Sequence, residues 1–100
     1  MAIGSFRDLT VWQKSMDLVI GVYKVTAQLP KAENFGLASQ IQRASVSIPS
    51  NIAEGSKRSS RADFRQFCMM AMGSAAELET QLLLVKDCTP TWPLTLFWKN

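Results

Sequence analysis

Apolar side chains recur at helical spacing in three separate stretches of the chain. The first predicted helix begins at about residue 9, with Asp8 as its N-cap, and continues to about residue 28, where Leu29 and Pro30 end it. Its apolar residues form two adjoining stripes, which is a wider apolar face than one neighbouring helix requires. The stripes are Trp12, Met16, Val19, Ile20 and Tyr23, and Val11, Leu18, Val22, Val25 and Leu29. We therefore expect this helix to contact more than one neighbour.

The second predicted helix covers about residues 37–54 and places an apolar residue at every third or fourth position. Those residues are Leu37, Ile41, Ala44, Ile48 and Ile52. Pro49 lies inside the pattern, and because proline removes a backbone hydrogen bond we expect a kink or a break there. We expect Ser47, Ser50, Asn51 and Glu54 to form hydrogen bonds around the kink, in preference to a ligand site. Gly55 is predicted to end the helix.

The third predicted helix covers about residues 61–87 and opens with Ser60 and Asp63 at capping-box spacing. Phe64, Ala71, Leu78 and Val85 then recur every seven residues, a seam typical of a helix packed along its length. Residues 88–100 have two prolines, two tryptophans and no helical period, so we expect an irregular tail. The chain is therefore predicted to be one all-α domain over residues 1–100, with three long helices and this tail.

Composition excludes much of enzyme chemistry. The 100 residues include no histidine, so neither a histidine-dependent nucleophile nor a histidine-ligated metal site can form. Cys68 and Cys88 lie twenty residues apart without a CxxC spacing, which is not a zinc pattern. We expect no catalytic residues, no metal and no cofactor, and so a protein that is not an enzyme. The lack of a signal-peptide pattern and of long apolar runs predicts a cytoplasmic protein without membrane association.

Positive charge is concentrated in one short stretch. The net charge is +3, and residues 55–66 alone hold Lys57, Arg58, Arg61 and Arg65 against Asp63, while the remaining chain has seven basic and seven acidic residues. This stretch is either a patch that contacts phosphates or a solvated loop and helix start. Arg43 extends the patch if its helix face converges on it, although it is also the expected ion-pair partner of Glu77.

Several segments resemble a known family. They are residues 6–14 (FRDLTVWQK), 43–55 (RASVSIPSNIAEG) and 73–82 (GSAAELETQL), with Phe35, Gly36, Leu37 and Gln40 between the first two. Together they are similar to small bacterial four-helix-bundle proteins first described as encoded in intervening sequences of 23S ribosomal RNA genes. The resemblance covers about residues 6–87. It implies an antiparallel up-down bundle that assembles into a ring, a pentamer. The chain is also similar to the accessory protein of diversity-generating retroelements, a ring of bundles that binds nucleic acid and a reverse transcriptase.

The chain departs from this family where a fourth helix is expected after Lys86 and Asp87. The abrupt change to the tail is typical of a frameshift or a premature end, and it predicts a groove that the tail or another chain fills. Two hypotheses follow. The first is a homo-oligomeric accessory protein that binds RNA or DNA without sequence specificity through Lys57, Arg58, Arg61, Arg65 and Arg43. The second is a protein-protein interaction module, or a structural assembly protein, that does not bind nucleic acid.

Overall fold

The computed structural model of the chain describes residues 4–29 and 36–88. It contains a one-turn 3-10 helix η1 (Phe6–Asp8) and three α-helices, α1 (Thr10–Thr26), α2 (Leu37–Ser56) and α3 (Arg61–Cys88). The end of α1 meets the start of α2, where Gln42 Nε2 donates to Thr26 Oγ1 over 2.9 Å. The end of α2 meets the start of α3, where Gly55 contacts Phe67. The predicted all-α antiparallel bundle is confirmed, and the predicted tail beyond Cys88 lies outside the described residues.

The central helix is α2, which packs against α1 on one side and against α3 on the other, while α1 and α3 barely touch. Its predicted apolar positions supply much of the core, because Ile41, Ala44, Ile48 and Ile52 are all buried. On α3 the seven-residue seam is confirmed as well, with Ala71, Leu78 and Val85 buried. Full burial of one Val, Leu or Ile side chain stabilises a fold by about 1.5–3 kcal/mol.

The wide apolar face of α1 is only partly covered. One stripe faces the core, where Val22 and Leu29 are buried, whereas Ile20 and Tyr23 of the other stripe remain about half exposed. At about 100° per residue, the apolar positions of α1 cover about 220° of its circumference. The helix α2 covers the middle of this arc, so apolar surface remains on either flank.

The two predicted helix starts had different outcomes. Ser60 caps α3 as expected, because its Oγ accepts a hydrogen bond from the backbone N–H of Asp63 over 3.1 Å. The prediction that Asp8 caps α1 is wrong. Asp8 belongs to η1, where its N–H donates to the carbonyl of Ser5, and the N-cap position of α1 is Leu9, which has no side-chain cap. Asp8 cannot cap α1 because it is the last residue of this separate short turn, which precedes the helix.

The helix α2 continues from Leu37 to Ser56 with Pro49 inside it, so the alternative of a break into two pieces is wrong. Two side chains that follow the proline bond to carbonyl groups of the preceding turn: Ser50 Oγ donates to Val46 O, and Asn51 Nδ2 donates to Ser47 O, each over 2.8 Å. These bonds are part of the local network expected around Pro49, whereas Glu54 pairs with Arg58 and takes no part in it. The proline ring is itself buried, so packing offsets the backbone hydrogen bond that proline removes.

Gly55 does not end α2, which is a correction to its predicted role. It lies inside the last turn and is buried, and a Cβ atom built on it would lie 2.6 Å from Phe67 Cβ and 3.1 Å from Phe64 Cδ1. Both neighbours belong to α3. Because glycine has no side chain, the two helices can approach closely here. The position requires glycine for its small size and not for its conformational freedom.

Gly55→Ala should destabilise the protein by about 1–3 kcal/mol, because the added methyl group forces α2 away from α3. Urea unfolding followed by circular dichroism measures this change. Gly73→Ala is the matched control, since Gly73 lies inside α3 with nothing within 4 Å of its ideal Cβ position. That variant should gain about 0.5–1 kcal/mol from helix propensity. Equal unfolding midpoints for the two variants would contradict the close contact at Gly55.

Candidate functional site

The four basic residues singled out in the sequence lie at one end of the molecule. Lys57 and Arg58 are in the turn after α2, Arg61 is the first residue of α3, and Arg65 follows one helical turn later. All four side chains are exposed. Because residues four apart share a helix face, Arg61 and Arg65 point to the same side of α3.

Arg58 already has two partners, which the sequence interpretation missed. Its Nη2 donates to Glu54 Oε2 over 2.9 Å, and the two side chains are 44% and 57% exposed. Its guanidinium also lies 4.7 Å from the ring centroid of Phe67. An exposed pair of this kind stabilises a helix by only about 0.3–0.5 kcal/mol. The spacing of Glu54 and Arg58 is the sequence signal that could have revealed the pair.

Lys57 lies beside the start of the chain. Its Nζ is 5.7 Å from the ring centroid of Phe6, and Arg7 Cζ is 5.8 Å from the same centroid. The Phe6 ring in turn meets Trp12 edge to face, with the ring centroids 5.1 Å apart. The structure thus brings Arg7 next to Lys57 although fifty residues separate them in sequence. No local sequence pattern could have predicted that neighbour.

Arg43 is not part of this group. Arg43 lies within α2, fourteen residues before Lys57, which follows the last residue of that helix. At 1.5 Å per residue, this separation is about 21 Å along the helix axis. Arg43 lines a polar depression of 380 Å³ between α2 and α3, together with Gln40, Ser47, Ser74 and Glu77. Arg43 and Glu77 do not form the expected ion pair, since within residues 4–29 and 36–88 the only ion pair is that of Arg58 with Glu54. Glu77 Oε2 instead accepts a hydrogen bond from Gln81 Nε2 over 3.4 Å.

An apolar cleft of 370 Å³ runs between η1, α1 and α2. Most of its walls are aromatic or aliphatic, and the lining residues are Phe6, Trp12, Met16, Val19, Val46, Pro49, Ser50 and Ala53. Trp12 also packs against the core, in agreement with its predicted place on the apolar stripe. Ile20 and Tyr23 are about half exposed, and each lies four residues after a lining residue of α1, Met16 or Val19, on the same flank of the helix.

The reactive groups of the described part of the chain are few. Cys68 and Cys88 are free thiols, and burial raises the pKa of the Cys68 thiol, which keeps it protonated and weakly nucleophilic at neutral pH. Among residues 4–29 and 36–88, no group of three Cys, Asp or Glu side chains is placed to hold a metal ion. No helix in that part is both long and apolar enough to cross a membrane.

These features define an all-helical antiparallel bundle with exposed cations at one end and an uncovered apolar flank. A sequence model of the family described as 23S rRNA-intervening sequence protein matches residues 7–90, and the chain belongs to that family. The match includes all three α-helices, the turn that holds Lys57 and Arg58, and η1 from Arg7 onward. No curated protein matches the chain.

Proposed function

We propose that this protein is a non-enzymatic accessory factor that binds the phosphate backbone of RNA or DNA through Lys57, Arg58, Arg61 and Arg65, here called the basic surface. The observation that carries the proposal is the distribution of charge. Residues 54–65 hold four basic and two acidic side chains, whereas the other described residues hold five of each. The net positive charge of the described chain is therefore concentrated where α2 turns into α3.

The contacts of the four side chains support phosphate binding of unequal strength. Arg61 and Arg65 have no carboxylate partner among the described residues, so their guanidinium groups can each take a phosphate. Arg58 is partly neutralised by Glu54. Binding through exposed cations to backbone phosphates should depend on salt and show little sequence preference.

Enzymatic activity is not part of the proposal, because the chain has no histidine and its free Cys68 thiol has a raised pKa. We include a cytoplasmic location in the proposal, since two free cysteines fit a reducing compartment.

The double variant Arg61→Ala, Arg65→Ala should weaken binding to a labelled single-stranded RNA, as measured by fluorescence anisotropy across a range of salt concentrations. The slope of log K against log salt is negative. Loss of two phosphate contacts should lower its magnitude by about 1.4 for a single strand and by about 1.8 for duplex DNA. The matched control is Lys24→Ala, Lys86→Ala, which removes the same charge from the opposite end of the bundle. A flat salt response of the wild type, or equal losses in both double variants, would contradict the proposal.

Glu54→Gln provides a companion variant with the opposite expected sign. Removal of the carboxylate leaves Arg58 available for a phosphate, so binding should tighten and the salt slope should steepen. Stability should change by less than about 0.5 kcal/mol, because the pair is exposed. Weaker binding of this variant would show that Arg58 acts only together with Glu54.

A second proposal concerns assembly, and it is favoured by the uncovered flank of α1 and α2. Met16, Ile20, Tyr23 and Val46 are 36–51% exposed and lie beside the apolar cleft. A continuous apolar surface is typical of an interaction site. We propose that copies of this chain associate through this flank to form a ring, with a pentamer as the number that the family resemblance implies. The alternative function, an interaction module without nucleic-acid binding, uses the same flank for another protein.

Ile20→Gln should lower the molar mass measured by light scattering, because it places a polar amide in the interface without disturbing the core. Lys14→Gln serves as the control and should keep the wild-type mass, because the exposed Lys14 lies about 120° around α1 from Ile20. A wild-type mass of 11.1 kDa, that of one chain, would exclude self-assembly. A wild-type assembly that persists unchanged in Ile20→Gln would place the interface elsewhere.

A further inference from the structure

Arg7 and Lys57 converge on one aromatic ring. Since their charged groups lie 5.8 Å and 5.7 Å from the centroid of Phe6, the two groups are no more than 11.5 Å apart. Both side chains are exposed. Attraction of each cation to the ring helps to hold both near it, even though the two positive charges repel each other.

The backbone at Arg7 is held in place by two hydrogen bonds. The N–H of Arg7 donates to Ser5 Oγ over 3.2 Å, and the carbonyl of Arg7 accepts from Gln13 Nε2 over 2.8 Å. The adjacent Phe6 ring is in turn fixed against Trp12. The arginine therefore projects from a fixed turn, which lowers the entropy lost when its side chain takes a ligand.

No carboxylate of the described residues is paired with either cation. Neither Arg7 nor Lys57 forms an ion pair within residues 4–29 and 36–88. Two neighbouring cations without a counter-charge gain more from an anion than either gains alone, because the anion also relieves their mutual repulsion. A phosphate is such an anion, and arginine binds it with two parallel hydrogen bonds.

We propose that Arg7 is a further phosphate-binding residue, which acts together with Lys57 across the Phe6 ring and extends the basic surface from the α2–α3 turn to η1. The inference rests on the proposed binding of RNA or DNA. It identifies the ligand of this part of the surface as a backbone phosphodiester, and it places the nucleic acid across the end of the bundle, in addition to the side of α3.

Three single variants test the inference with the full-length protein and the same labelled RNA. Arg7→Ala should weaken binding several-fold at low salt and lower the magnitude of the salt slope by about 0.7. Lys24→Ala removes one exposed charge from the far end of α1 and should leave the slope unchanged. Arg7→Lys keeps the charge beside Phe6 and should restore the slope while losing some affinity, because a lysine lacks the paired donors. Circular dichroism of each variant verifies that the helices are intact.

The double variant Arg7→Ala, Lys57→Ala distinguishes a shared phosphate from two separate ones. If the residues bind one phosphate, the double variant should lose less binding energy than the two single losses added together. If Arg7→Ala changes binding no more than Lys24→Ala does, the inference is overturned. If the double variant Arg61→Ala, Arg65→Ala still weakens binding in the same assay, the proposed function stands. Wild-type protein that shows no salt-dependent binding overturns both. A loss for Arg7→Ala that Arg7→Lys does not restore at all also overturns the inference, since charge would then not be what Arg7 supplies.

Discussion

The close approach of α2 and α3 at Gly55 determines how the rest of the chain is arranged. A side chain at this position would overlap Phe67, with only 2.6 Å between the two Cβ atoms, so the helices can be this close only with glycine there. Because their ends are so near, residues 57–60 are enough to connect them. A connection this short leaves no room to bury Lys57 or Arg58, and both remain at the surface. The Phe67 ring that packs against Gly55 is also the ring on which Arg58 lies.

The position of α2 between α1 and α3 has a second consequence. A helix can cover only part of the circumference of its neighbour, and α1 carries apolar residues over about 220° of its own. Since α1 and α3 barely touch, the flank of α1 that bears Met16, Ile20 and Tyr23 has no partner within the described chain. Exposed side chains of this size cost solubility unless something covers them. The apolar excess of α1 is therefore the observation on which the proposed self-association rests.

The sequence predicted those features that depend on a local repeat. Burial of Ile41, Ile48 and Leu78 follows from apolar spacing alone, and Ser60 was recognisable as a cap from its place before Asp63. Features that depend on contacts between distant segments were missed. The role of Gly55 depends on Phe67, which is distant in sequence, so the glycine could not be distinguished from a helix end. The alternative of a break at Pro49 was wrong, since the proline is buried once the bundle has folded. The same holds for the candidate site. The cluster of Lys57, Arg58, Arg61 and Arg65 could be predicted from the sequence, whereas the proximity of Arg7 to Lys57 depends on the position of Phe6 in the folded chain.

The apolar flank and the basic surface meet at Phe6, which lines the apolar cleft and lies between Arg7 and Lys57. The rest of the two surfaces is separate. The flank runs along the side of α1 and α2, while Lys57 and Arg61 lie at the end where α2 turns into α3. In a ring with cyclic symmetry every chain has the same orientation relative to the axis, so all basic surfaces occur on one face. A polynucleotide that contacts one chain is then held at high effective concentration near the next, and weak individual contacts combine into strong binding. Under the proposed function, a charge excess too small for tight binding by one chain would be multiplied by assembly.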